Sequence, residues 1–212
     1  MSTFKNEAGK SVLMRMAKEI QDHKGYLGEV DGLIGDGDHG MNMNKGFTMF
    51  QERFQEQEIS FAEGLEELGM ILLNEIGGSM GPIYGTIFMD MAEAGARVNE
   101  IGVPEFANML ESGLNGLYGI VEARVGDKTL VDTLVPSVNM MKKAEETGKD
   151  FKEALEEMKQ AAKAGSESTK DMVAKYGRSS RLGERSRGVL DAGSVSCCII
   201  LTAMADGILD LL

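Results

Sequence analysis

Asp31, Asp36 and Asp38 place three carboxylates within eight residues, in the run Asp31-Gly-Leu-Ile-Gly-Asp36-Gly-Asp38-His39-Gly40-Met-Asn42-Met43-Asn44. Only Gly37 separates two of them, so an extended turn can point Asp36 and Asp38 to one side. Such crowding of negative charge is costly unless a cation neutralises it. Oxygen ligands suit a hard ion, and Mg²⁺ takes a few carboxylates, keeps waters and completes its shell with substrate phosphates. A solvated acidic turn is the simpler alternative, and the density of glycine around the carboxylates favours the metal. Two other readings fail. Gly35-x-Gly37-x-x-Gly40 matches a dinucleotide fingerprint only literally, because no clear strand precedes it. An EF-hand starting at Asp36 needs an oxygen ligand, a glycine and a glutamate where the chain has Gly40, Met41 and Phe47.

His39, beside two aspartates, is expected to be held protonated or to donate a hydrogen bond, which suits a phosphate oxygen; a capping or turn-stabilising histidine is the alternative. Asn42 and Asn44 begin the next helix, whose free N–H groups favour an anion. A second glycine-rich helix start, Gly77-Gly78-Ser79-Met80-Gly81-Pro82-Ile83-Tyr84-Gly85-Thr86, lets a backbone approach a ligand, with Ser79 placed to cap and Pro82 in the first turn. An ordinary capped helix explains it equally well. Gly126-Asp127-Lys128-Thr129 lacks the glycine spacing of a phosphate-binding loop, yet Lys128 can neutralise phosphate or Asp132, or simply be solvated. Finally, Arg178, Arg181, Arg185 and Arg187 are four arginines in ten residues of a chain with net charge -12, followed by Asp191 and Gly193. Arginine's planar fork suits a phosphoryl group in flight. Arg181 and Arg187 fit a docking rim as well. A carboxylate-metal loop, two glycine-rich helix starts and an arginine loop are the parts phosphoryl transfer needs, and composition by itself stops at a nucleotide or polyphosphate site.

The elements that must position these loops are helices. Apolar residues recur with helical spacing at Val12, Leu13, Met16 and Ile20; at Phe61, Leu65, Leu68, Ile71 and Leu72; at Phe106, Met109, Leu110, Leu114 and Leu117; at Val131, Leu134, Val135, Val138 and Met141; and at Phe151, Leu155, Met158 and Ala162. Glycines punctuate their ends and divide the chain into about eight helices with short links, which predicts an all-α, antiparallel up-and-down bundle or barrel formed by one domain over residues 1–212. No stretch alternates well enough to predict a strand. Pro136 should kink its helix or mark the first turn. The 16 methionines read as adaptable core filler.

The same net charge of -12 repels phosphate backbones, so a broad nucleic-acid surface is not expected, whereas a single nucleotide bridged by divalent cations is. Cys197 and Cys198 are adjacent in an apolar run and read as buried thiols in a reducing compartment. The charged N-terminus has no secretory h-region, and the apolar stretch Val195 to Ala205, at 11 residues, is too short for a bilayer of ~30 Å, so a cytoplasmic protein with no membrane partner is expected.

The motifs Asp31-x4-Asp36-Gly37-Asp38-His39-Gly40-x-Asn42-Met43, Gly77 through Thr86, Gly126 through Thr129, and Gly177-Arg178-Ser179-Ser180-x-Leu182-Gly183-Glu184-Arg185-Ser186 together resemble the ADP-binding L-subunit family of dihydroxyacetone kinases, in order and along nearly the whole chain. The resemblance implies an eight-helix antiparallel barrel with the nucleotide at one end and two Mg²⁺ ions on Asp31, Asp36 and Asp38. It implies nucleotide contacts from His39, Asn42, Met43, Gly78, Ser79, Thr86, Gly126, Thr129, Asp191 and Gly193, with Arg178 facing the transferred phosphate. It further implies that bound ADP is recharged by the M subunit of the phosphotransferase system, and that the ATP formed passes its γ-phosphoryl to dihydroxyacetone, or a related keto sugar, held on a separate K subunit. A homodimer is compatible with it. Two departures stand out: the family's glycine-histidine-x-aspartate-proline-glycine segment is here Gly188-Val189-Leu190-Asp191-Ala192-Gly193, and Arg181 replaces a commonly aromatic position. They leave open a regulatory paralogue that keeps nucleotide without transfer, and, more weakly, a metal-dependent phosphohydrolase.

Overall fold

The computed structural model describes residues 2–212. Nine α-helices are present among them: α1 (Lys10–Asp22), α2 (Lys24–Ile34), α3 (His39–Phe54), α4 (Phe61–Glu75), α5 (Met80–Gly95), α6 (Val103–Ile120), α7 (Val131–Glu146), α8 (Phe151–Ser168) and α9 (Ala192–Leu209). Eight of them close a ring in the order α1, α3, α4, α5, α6, α7, α8, α9 and back to α1, while α2 sits at one end against α3 and α9. The expected count of about eight thus corresponds to the ring. The ninth helix is α2, separated from α1 only by His23.

Local signals set the ends. At α4, Ser60 and Glu63 exchange reciprocal bonds, the Glu63 N–H to Ser60 Oγ at 3.3 Å and the Ser60 N–H to Glu63 Oε2 at 3.1 Å. At α9, the Ser194 N–H donates to Asp191 Oδ2 at 2.7 Å. Two pairing strands, β1 (Phe4–Lys5) and β2 (Glu100–Ile101), tie the N-terminus to the start of α6 with Phe4 opposite Ile101. Two residues carry no periodicity, which is why the sequence predicted none.

The ring's interior is filled by Phe47, Phe50, Phe61, Phe88, Phe106 and Phe151, with methionines 16, 43, 91, 109, 141, 158 and 204 buried among them. Pro136 is the sixth residue of α7, inside the helix. It withdraws the N–H that the Asp132 carbonyl would accept, and Gly165 of α8 packs against that carbonyl, where any Cβ would overlap it. α9 is long and apolar enough over 18 residues to pass for a membrane span, yet 67% of it is buried inside the ring, as the core helix of a packed fold is.

The close approach of α2 to α3 sets the geometry of the acidic loop between them. Gly40, in the first turn of α3, lies so close to the Lys24 carbonyl and Gly28 N–H that a Cβ would overlap both. Both obstacles are backbone and cannot rotate away. Gly40→Ala is therefore expected to destabilise the fold by about 1–3 kcal/mol through forced separation of the two helices, read as a lower midpoint in denaturant unfolding.

Candidate nucleotide and metal site

Asp31 stands on the last turn of α2, Asp36 in the connecting loop, and Asp38 at the N-cap of α3. One carboxylate oxygen from each lies within 4.8 Å of the other two, with Asp31 half-buried and the others exposed. Gly37, at φ 79°, makes the bend that a side chain would resist. The His39 N–H donates to Asp31 Oδ2 at 3.3 Å, orienting one carboxylate from the start of α3. Partial burial, then the charges of Asp36 and Asp31, raise the Asp38 carboxyl above its ordinary value, against the opposing effects of Asn42 and Arg178. Mutual repulsion among oxygens so placed is what a hard divalent cation relieves, and an all-oxygen set suits Mg²⁺.

These carboxylates open onto a cavity of about 350 Å³ at one end of the ring, the size of a small-molecule site. Its wall includes Asp31, Asp36, Asp38, His39, Ser79, Thr129, Arg178, Asp191 and Gly193, so nine of the residues that the resemblance assigns to metal or nucleotide converge there, and Lys128 lines it too. Arg178 enters on the 3-10 segment Arg178–Ser186 and forms an ion pair with Asp36. Ser79, the N-cap of α5, makes no capping bond with its side chain, contrary to the expected cap, so the hydroxyl is available to a ligand. Ile83 of the second motif joins Val121, Leu130 and Tyr176, which lie outside the motifs, to give the cavity an apolar side.

The remaining five lie off the wall. The Asn42 N–H donates to the Asp38 main-chain carbonyl at 3.0 Å within α3, which begins at His39 rather than at Asn42. Met43 is wholly buried in the core. Gly78, at φ 75°, shapes the turn before α5, and Thr86 faces Gly116 of α6. The Gly126 N–H donates to Asp132 Oδ1 at 2.6 Å, and the Thr129 N–H to Asp132 Oδ2 at 2.8 Å, so Asp132 holds this turn together.

Three ionisable groups are set by burial and by partners distant in the chain. His39 is not held protonated: burial pushes its imidazole down to about 4 despite the pull of Asp31, and Nε2 lies 2.8 Å from Ser196 Oγ. Lys128 is only 1% exposed. Its ammonium donates to the Thr169 carbonyl at 2.6 Å and to the Val189 carbonyl, so it is not solvated, and one of its three donors is left at the edge of the cavity it lines. It is also the one non-glycine residue with positive φ among those described, at 62°. Burial raises Asp191 to about 7, opposed by the Ser194 N–H and Lys128. Because that value lies above the ordinary 3.8, the folded chain binds a proton that the unfolded chain has released, and stability falls as pH rises between the two. Asp191→Asn keeps the cap and should remove this slope, seen in the difference between mutant and wild-type unfolding midpoints from pH 4 to 7.

A family model described as the DAK2 domain matches residues 33–206. The chain belongs to the DAK2 domain family. Among curated relatives, it is 36% identical over 183 residues to the PEP-dependent dihydroxyacetone kinase ADP-binding subunit DhaL of Escherichia coli K12, covering 85% of this chain and 86% of that one. It is 33% identical over 198 residues to the PTS-dependent counterpart of Lactococcus lactis, covering 92% and 93%. Among solved structures, the dihydroxyacetone kinase of C. freundii in complex with AMP-PNP and Mg²⁺ aligns with a TM-score of 0.67 at 20% identity, over 92% of this chain and 33% of that longer one, a likeness of fold. Two of the positions that depart from the expected motif have a clear place in the fold. Val189 contributes its main-chain carbonyl to Lys128, and Ala192 follows an intact Asp191 cap.

Proposed function

We propose that this chain is the nucleotide-carrying subunit of a dihydroxyacetone kinase, working as one domain in the cytoplasm. Asp31, Asp36 and Asp38 hold Mg²⁺, in one or two ions, and the cavity holds ADP or ATP. The γ-phosphoryl passes to dihydroxyacetone or a related small keto sugar on a separate K subunit, and an M subunit of the phosphotransferase system recharges the ADP. The observation that carries this reading is the convergence of the three carboxylates, Arg178 and the N-terminus of α5 on one cavity. The names of the relatives, ADP-binding subunits of PEP- and PTS-dependent dihydroxyacetone kinases, supply the substrate and the donor.

Each part has a physical task. Asp31, Asp36 and Asp38 would hold the metal, which would supply positive charge against the phosphates. The free Ser79 hydroxyl and the first N–H groups of α5 face the phosphates, as a helix N-terminus favours an anion. Ile83, Val121, Leu130 and Tyr176 form an apolar wall suited to adenine. Arg178, on leaving Asp36, provides the fork that stabilises charge on the moving phosphoryl group.

Purified protein, denatured and analysed by mass spectrometry, should release about one ADP or ATP per chain, and chelator treatment before denaturation should strip it. An empty protein indifferent to Mg²⁺ sinks the reading. A regulatory paralogue would keep its nucleotide yet give no sugar phosphate when reconstituted with K and phosphotransferase subunits.

A further inference from the structure

Beneath the cavity lies a polar cluster that the phosphoryl-transfer parts do not use. Tyr84 on α5 and Ser196 on α9 are both buried, and their hydroxyl oxygens are 2.6 Å apart. Ser196 Oγ is in turn 2.8 Å from Nε2 of His39 on α3. Each hydroxyl also has the Gly193 carbonyl at 3.1 Å. Three helices that start at the site are thus joined through one serine.

We propose that Ser196, backed by Tyr84, is a positioning residue of the nucleotide site: its hydroxyl fixes the His39 imidazole so that Nδ1–H is presented to a phosphate oxygen. The inference rests on the cavity's being a nucleotide site. Its basis is an accounting of hydrogens. The two shortest contacts, 2.6 and 2.8 Å, each need one proton. Gly193 lies inside α9, so its carbonyl is served by the helix ladder and needs neither hydroxyl. Both hydroxyl protons can then run in one direction, from Tyr84 to Ser196 and from Ser196 to Nε2. Nε2 becomes the acceptor, and the ring proton is left on Nδ1. No protein group partners Nδ1, while no buried side-chain nitrogen or oxygen among the described residues lacks a partner, so Nδ1 must reach solvent. His39 borders the cavity, and the cavity is where that nitrogen meets a ligand. An anion there requires a donor, which this direction of the chain supplies.

The test uses tag-free full-length protein carrying His23→Gln, so that His39 is its one imidazole. Nitrogen-15 NMR of the nucleotide-free protein should report His39 as the Nδ1–H tautomer. Ser196→Ala should shift it toward Nε2–H and weaken Mg–ADP binding by about tenfold, the loss of one oriented hydrogen bond to a charged group. Tyr84→Phe should produce a smaller change of the same kind, and Ser196→Thr should restore both readouts. A wild-type protein already in the Nε2–H form, or a Ser196→Ala protein with unchanged tautomer and affinity, overturns the proposal. Wild-type protein that binds no ADP defeats the functional reading instead, and the tautomer measurement still decides the positioning role.

Discussion

Asp31→Asn is expected to lower Mg²⁺-dependent ADP retention by about a hundredfold or more and to bring sugar phosphorylation below detection in the reconstituted system. The substitution is nearly isosteric, and its side-chain oxygen can still accept from the His39 N–H, so the loop connecting α2 and α3 keeps its shape. What disappears is one of three negative charges whose oxygens lie within 4.8 Å of one another. In metal-free protein that loss relieves repulsion, because Asp31 is among the charges that raise the Asp38 carboxyl. Stability without metal should therefore hold or rise while function collapses. Equilibrium dialysis with labelled ADP measures the first effect and thermal unfolding in chelator the second. A variant that loses both together would instead mean that Asp31 serves the fold.

Arg178→Ala should separate two quantities that a general basic patch would move together. Transfer to the sugar is expected to fall by about a thousandfold, the scale on which an arginine stabilises a moving phosphoryl group. Affinity of the nucleotide-free protein for Mg²⁺ should rise, because Arg178 now pairs with Asp36, one of the three ligands. Arg178→Lys keeps the charge without the planar fork, so transfer should recover only in part. Isothermal titration with Mg²⁺ reads the competition directly, and Arg181→Ala is the control, since no ion pair joins Arg181 to the carboxylates. Unchanged Mg²⁺ affinity in Arg178→Ala would remove the competition from the argument and leave the transfer defect to be explained alone.

The helices and the clustering of the three carboxylates were legible because their signals are local. Amphipathic spacing marks a helix wherever it is packed, and three aspartates separated by glycines repel one another whatever lies around them. The cavity's other parts were legible only as loose motifs. Thr129, Asp191 and Gly193 line the wall as expected, while Met43 and Thr86, drawn from the same motifs, turn into the packing between helices. On a helix a shift of one residue turns a side chain by about 100°, so belonging to a motif does not fix which residues face a ligand.

Lys128 and His39 mark the boundary most sharply. As residue types beside phosphate-binding motifs, both suggested cationic partners for a nucleotide. Whether either could be one depended on burial and on partners distant in the chain: the Thr169 and Val189 carbonyls for Lys128, and Ser196 for His39. The order of residues by itself determined an all-helical chain, the acidic loop and the family, since these follow from spacing and charge between near neighbours. Only the closure of the ring decided which loops meet, which charges are buried and which hydroxyls align behind the site. Those outcomes depend on contacts between residues far apart in the chain, such as His39 and Ser196, 157 positions from each other, and no pattern of neighbouring residues encodes a distance across a folded core.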